Sequence, residues 1–146
     1  KAKGKELCLQ KSLRTYPLRH SKKYGTTKMT QFMTIYNRGD VILVPFPFSN
    51  QTTTKKRPSV IVSSNVYNNT SSDIVIMAIT GKTGKTFTIG ECLIEDWQSA
   101  GLLKLSSIKP AISTIEQRLV LKKLGKLSPK DLILMENAIK EFLDLK

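Results

Sequence analysis

Apolar and polar positions alternate in short blocks along most of this chain, and the blocks predict strands. Residues 41–44 (VILV) and 60–62 (VIV) are continuous, β-branched runs of the kind that fill a buried strand. They are joined by a long polar stretch of Ser, Asn, Thr and Lys that returns to the apolar run at Lys55, Lys56, Arg57 and Pro58. The pattern predicts strands over 40–47 and 59–64, with the prolines at their ends, where a missing N–H costs a sheet least. A polar turn follows over 65–72, then a third buried strand over 73–80 (DIVIMAIT) and a Gly/Lys/Thr turn over 81–85. A shorter strand is predicted to begin at 86–89, and a brief helical turn followed by a strand over 92–103. Short strands at 105–109 and 111–115 flank Pro110, and another spans 118–126. The last element is a helix: Ser128 suits its N-cap, Pro129 its first position and Asp131 its first turn. Leu132, Met135, Ile139 and Phe142 then form a stripe that packs on the sheet. The fold class expected is mainly β (α+β), a small antiparallel barrel-like sheet with a C-terminal helix.

Residues 1–36 lack any sustained period. They read as a basic, disordered N-terminal arm ahead of a domain over 37–146. The first 32 residues carry nine basic side chains and one acid, Glu6, a balance of +8; residues 33–146 carry fifteen against ten, a balance of +5. Met29 or Met33 is the expected natural start. The net charge of +13 suits a nucleic-acid partner. No apolar run reaches the roughly 20 residues of a membrane span. Two distant cysteines, Cys8 and Cys92, suggest a reducing cytoplasm rather than a disulfide framework, and Cys92 and Trp97 read as core. Lys122 and Lys123 read as a solvated face.

Candidate chemistry narrows by elimination. His20 is the only histidine, so paired-histidine ribonuclease chemistry is excluded, as is a Cys/His metal cluster. There is no G-x-S-x-G elbow. Residues 80–86 (TGKTGKT) lack the G-x-x-x-x-G-K-[ST] spacing of a phosphate loop, so they read as a tight turn whose lysines could meet phosphates. What is left is Arg57, held by Pro58 between the loop and a buried strand, with lysines and with hydroxyls such as Thr80 at the end of the third strand, a pattern that by itself describes a basic β-rich binding domain. A guanidinium offers a planar fork matched to phosphate oxygens, and its fixed charge suits the charge that develops in phosphoryl transfer.

These residues carry a resemblance. GDVILVPFPFSN (39–50), KKRPSVIVSS (55–64), DIVIMAIT (73–80) and KLSSIKPAISTIEQRLVLKKLGKLSPKDL (104–132) are similar, in order and spacing, to the MazF/PemK toxins of bacterial toxin–antitoxin modules. The resemblance covers about 36–145. It implies a PemK/CcdB-like fold, usually a homodimer, and a cytoplasmic endoribonuclease that needs no metal or other cofactor. In that family the ribose 2′-OH attacks the adjacent phosphate of single-stranded RNA, leaving a 2′,3′-cyclic phosphate and a 5′-OH. The family's arginine falls on Arg57, which would stabilise the phosphate and protonate the leaving 5′ oxygen. Its threonine falls on Thr80, which would hold a phosphate oxygen. Ser49, Lys55 and Lys56 would line the RNA groove from the loop. The resemblance also implies a cognate antitoxin, whose acidic segment would cross the basic groove. Some members carry an acid in the loop; residues 49–56 hold none, so the base for the 2′-OH is unassigned. A non-catalytic RNA-binding or partner-binding member of the same fold is the alternative. Gyrase-poisoning relatives depend on a Trp-containing C-terminal end, whereas the only Trp here is Trp97.

Overall fold

A computed structural model describes residues 34–47, 54–84 and 86–146. The expected arm therefore lies outside the described residues except for 34–36, as does Ser49. Six strands form one sheet: β1 (Asp40–Pro47), β2 (Thr54–Ile61), β3 (Asp73–Thr80), β4 (Cys92–Ile94), β5 (Ser106–Glu116) and β6 (Lys122–Lys126). Two α-helices, α1 (Asn65–Thr70) and α2 (Pro129–Phe142), and a 3-10 turn (Gln117–Leu119) complete the described elements. All neighbouring strands run antiparallel, in the order β4-β5-β3-β2-β1-β6. The expected fold class stands, and β1, β3 and α2 fall where the pattern places them.

The strand period of two sorts apolar side chains onto two faces. Val41, Val60, Met77, Ile79, Ile94 and Ile108 form one buried cluster with Leu127 and Met135, and Leu132 and Ile139 of α2 pack against it. Ile42, Val44, Ile61, Ile74, Ile76 and Ala78 form the other. Cys92 and Trp97 pack against the first cluster, half-buried. Helix α2 begins as expected: the Ser128 hydroxyl accepts from the Asp131 N–H. Phe142, by contrast, is largely exposed at the helix end.

Other expectations give way to tertiary contacts. Strand β2 begins before the basic cluster, so Pro58 lies inside it, opposite Leu43. The expected polar turn at 65–72 contains helix α1, capped by Ser64. Asn68 is buried there: its amide donates to the Tyr36 carbonyl at 3.1 Å and its side-chain oxygen accepts from the Ser63 hydroxyl at 2.5 Å. Buried amides with partners like these hold a turn of helix that periodicity does not announce. Residues 86–89 form no strand, and β4 precedes the turns of 95–101 rather than following them. The reason is Asp131, whose buried carboxylate accepts from the N–H groups of Glu95 (2.9 Å) and Asp96 (3.0 Å) and so ends β4 on the helix start. Pro110 does not split β5. The β3–β5 register shifts between Met77 and Ile79, and this irregularity takes up the proline. Strand β6 is shorter than expected, because Gln117–Leu119 form a 3-10 turn.

Candidate active site

The site forms where the central strands end. Arg57 on β2 pairs with Val44 on β1, and Thr80 closes β3 opposite Ser107 on β5. The β2–β3 ladder stops at Ser59↔Ala78, one residue short of Pro58, which has no N–H with which to extend a ladder. Continuing that antiparallel register by two residues aligns Arg57 with Thr80. Both residues are half-buried, and both line a cleft of about 750 Å³.

Leu43, Ile79, Leu102 and Leu124 give the cleft an apolar floor. Six cations line it: Lys55, Arg57, Lys82, Lys104, Lys109 and Lys122. No Asp or Glu stands among the described residues of its wall. An apolar surface ringed by a single sign of charge focuses field towards an anion and offers a flat group somewhere to lie. Lys55 belongs to this wall. Lys56 is exposed and is not among the lining residues, since alternation along β2 turns it away from its two neighbours. Lys122 is a wall residue rather than part of a merely solvated face. Lys123 is tied to buried Asp40 at 2.7 Å. Lys104 and Lys109 are missed by sequence reasoning, because each reaches the cleft from a segment distant along the chain.

Backbone contacts hold the wall in place. The Thr80 Oγ1 accepts from the Lys82 N–H at 3.3 Å, steadying the bend that follows β3. A hydroxyl that accepts in this way keeps its own O–H free to donate. Gly101 has φ +71° and packs so tightly that an added Cβ would lie 2.1 Å from the Leu124 carbonyl oxygen. Gly125 packs in turn against the Ala100 backbone, so the 95–101 turns and β6 meet main chain to main chain. The Ser107 hydroxyl donates to Glu91 at 2.8 Å, behind the wall. Cys92 is no nucleophile: burial, with Asp131 and Glu91 adding to it, pushes its thiol up to about 11. Among the described residues no cluster of three or more His, Cys, Asp or Glu could hold a metal ion, and no helix is long and apolar enough to cross a membrane.

Fold and cleft define a small antiparallel β-sheet domain with a cationic site at the end of its central strands. Residues 37–143 match the family described as PemK-like, MazF-like toxin of type II toxin–antitoxin system, and the chain belongs to that family. Similar folds occur in solved structures. One is an endoribonuclease in complex with its cognate antitoxin from a mycobacterial species (19% identity, 78% of this chain and 98% of that one, TM-score 0.61). Another is the Mycobacterium tuberculosis toxin MazF-mt6 (18%, 73% and 98%, TM-score 0.60). A MazE–MazF complex from Deinococcus radiodurans is similar at 11% identity (77% and 100%, TM-score 0.61). Comparison with curated proteins gives no match.

Proposed function

We propose that this protein is an endoribonuclease toxin that cuts single-stranded RNA without metal, and that an antitoxin neutralises it in the cytoplasm. What supports the reading is that Arg57 and Thr80 line one cleft together with five lysines. RNA lays its backbone along the lysines and a base over the leucines. The 2′-OH adjacent to the scissile phosphate attacks phosphorus and releases its proton. The P–O5′ bond breaks, the 5′ oxygen leaves as a hydroxyl, and a 2′,3′-cyclic phosphate remains. Arg57 grips two non-bridging oxygens, offsets the charge that builds on them and supplies the proton to the leaving oxygen. Thr80 donates its hydroxyl to a phosphate oxygen. A wall whose described residues are ammonium and guanidinium groups without carboxylates disfavours a bound divalent cation, so the cationic side chains take the role a metal has elsewhere. The toxin acts as a homodimer, as its family implies, and an acidic antitoxin segment competes with RNA for the same charges.

The missing carboxylate also favours a second reading, a non-catalytic RNA-binding member of the family. Incubating the purified protein with a long mixed-sequence RNA in EDTA, and mapping the ends, separates the two. Discrete cuts with 5′-OH and cyclic-phosphate ends are expected, with a loss of at least about 10²-fold in Arg57→Ala. A folded protein that binds RNA and leaves it intact would decide for the second reading.

A further inference from the structure

Lys104 has a placement that the Arg57–Thr80 pair does not explain. It lies just before β5, far in sequence from Thr80, and is itself exposed. Yet its side chain runs across Gly81, the residue that follows Thr80. A Cβ built on Gly81 would sit 2.1 Å from the Lys104 Cε and 3.1 Å from its Nζ. Gly81 does not have a positive φ, so its backbone would accept any residue. The space over it is what a side chain would take, and Lys104 occupies that space. The main chain of Lys104 is fixed from behind, since its carbonyl accepts from the Ser106 hydroxyl at 2.9 Å.

We propose that Lys104 is a second phosphate-gripping cation of the reacting centre, delivered to the Thr80 end of the cleft because Gly81 leaves the passage open. The inference rests on the endoribonuclease reading. Arg57 approaches from β2. Lys104 comes from the segment before β5, on the other side of β3 in the sheet order. A phosphodiester seated on Thr80 thus meets one cation from each neighbouring element, and the charge that grows on its non-bridging oxygens is offset from two directions. Lys82, Lys109 and Lys122 line the same cleft, but only the Lys104 side chain crosses the open face of Gly81.

Gly81→Ala makes the inference testable without touching Lys104. The clash it introduces is with the far end of a flexible side chain, so the fold survives and Lys104 must swing away. Single-turnover cleavage of an RNA oligonucleotide is measured for wild type, Lys104→Ala, Lys104→Arg, Gly81→Ala and the Gly81→Ala/Lys104→Ala double variant. The exposed α2 lysine variant Lys140→Ala serves as a control for lost charge. Expected are losses of about 10- to 100-fold in Lys104→Ala and in Gly81→Ala, partial recovery in Lys104→Arg, and no change in Lys140→Ala. The double variant should be no slower than Lys104→Ala, because the alanine acts only by moving the lysine. A direct obstruction by the new methyl would slow both backgrounds equally and would overturn the role given to Gly81.

Salt-dependent binding of single-stranded RNA supplies a readout independent of turnover. Loss of one phosphate contact should lower the slope of log K against log salt by about 0.7 in Lys104→Ala. A wild type that cuts RNA while Lys104→Ala and Gly81→Ala match it in rate and slope would overturn this inference and leave the functional reading intact. A wild type that binds but does not cut would overturn the functional reading, and the slope would then decide for Lys104. A wild type that neither cuts nor binds RNA would overturn both.

Discussion

Arg57 and Cys92 are both half-buried, in different surroundings. Arg57 shares its cleft with five lysines. Cys92 has Glu91 and Asp131 near it, and burial together with those carboxylates raises its thiol from 9.0 to about 11. The consequence is a definite pH dependence. The folded protein holds this proton more tightly than the unfolded chain, so the stability it confers is complete below the unfolded value and is lost as pH rises through the folded one. In urea titrations from pH 7 to 11.5, wild type should lose stability relative to Cys92→Ala between about pH 9 and 11 and run parallel to it below that window. Parallel curves throughout would show that neither burial nor its carboxylate neighbours raise the thiol.

At the scale of the element, the apolar runs of β1 and β3 and the cap signals of α2 were legible because each is encoded locally. Ile74, Ile76 and Met77 declare a buried strand wherever it pairs. Strand β5 was divided in two because Pro110 normally ends a strand, and only the partner strand's irregularity shows that it need not. Helix α1 was hidden because Asn68 is an unpromising core residue until Tyr36 and Ser63 become its partners. The turns after β4 depend on Asp131, thirty-five residues beyond Asp96. The contact of Gly101 with β6 is equally non-local, and it carries an expectation of its own. Gly101→Ala would place a Cβ 2.1 Å from a carbonyl oxygen at a positive φ. It should cost about 2–4 kcal/mol in chemical denaturation and loosen the wall made by Leu102 and Leu124. A cost under about 0.5 kcal/mol would mean that the 95–101 turns are not packed on β6 as described.

Over the whole molecule, the cleft gathers its charges from five places in the chain. Arg57 and Thr80 could be proposed from sequence because they lie beside recognisable strands and match a family pattern, and Lys55 by its position in the loop before Arg57. Lys104, Lys109 and Lys122 could not, since their convergence depends on the order β5-β3-β2-β1-β6, and no local pattern states that order. In the function proposed for it, this arrangement carries out phosphodiester chemistry without a metal, with the nucleophile supplied by the RNA itself. One measurement tests that claim most directly. Once a cut position is mapped in EDTA, a matched oligonucleotide is made with a single 2′-deoxy nucleotide immediately 5′ of the scissile phosphate. The account expects cutting there to fall below detection while binding changes by less than about threefold, because one hydroxyl among many contacts contributes little to affinity. Continued cutting at the deoxy position would show that water rather than the ribose attacks, and would contradict the mechanism built on Arg57 and Thr80.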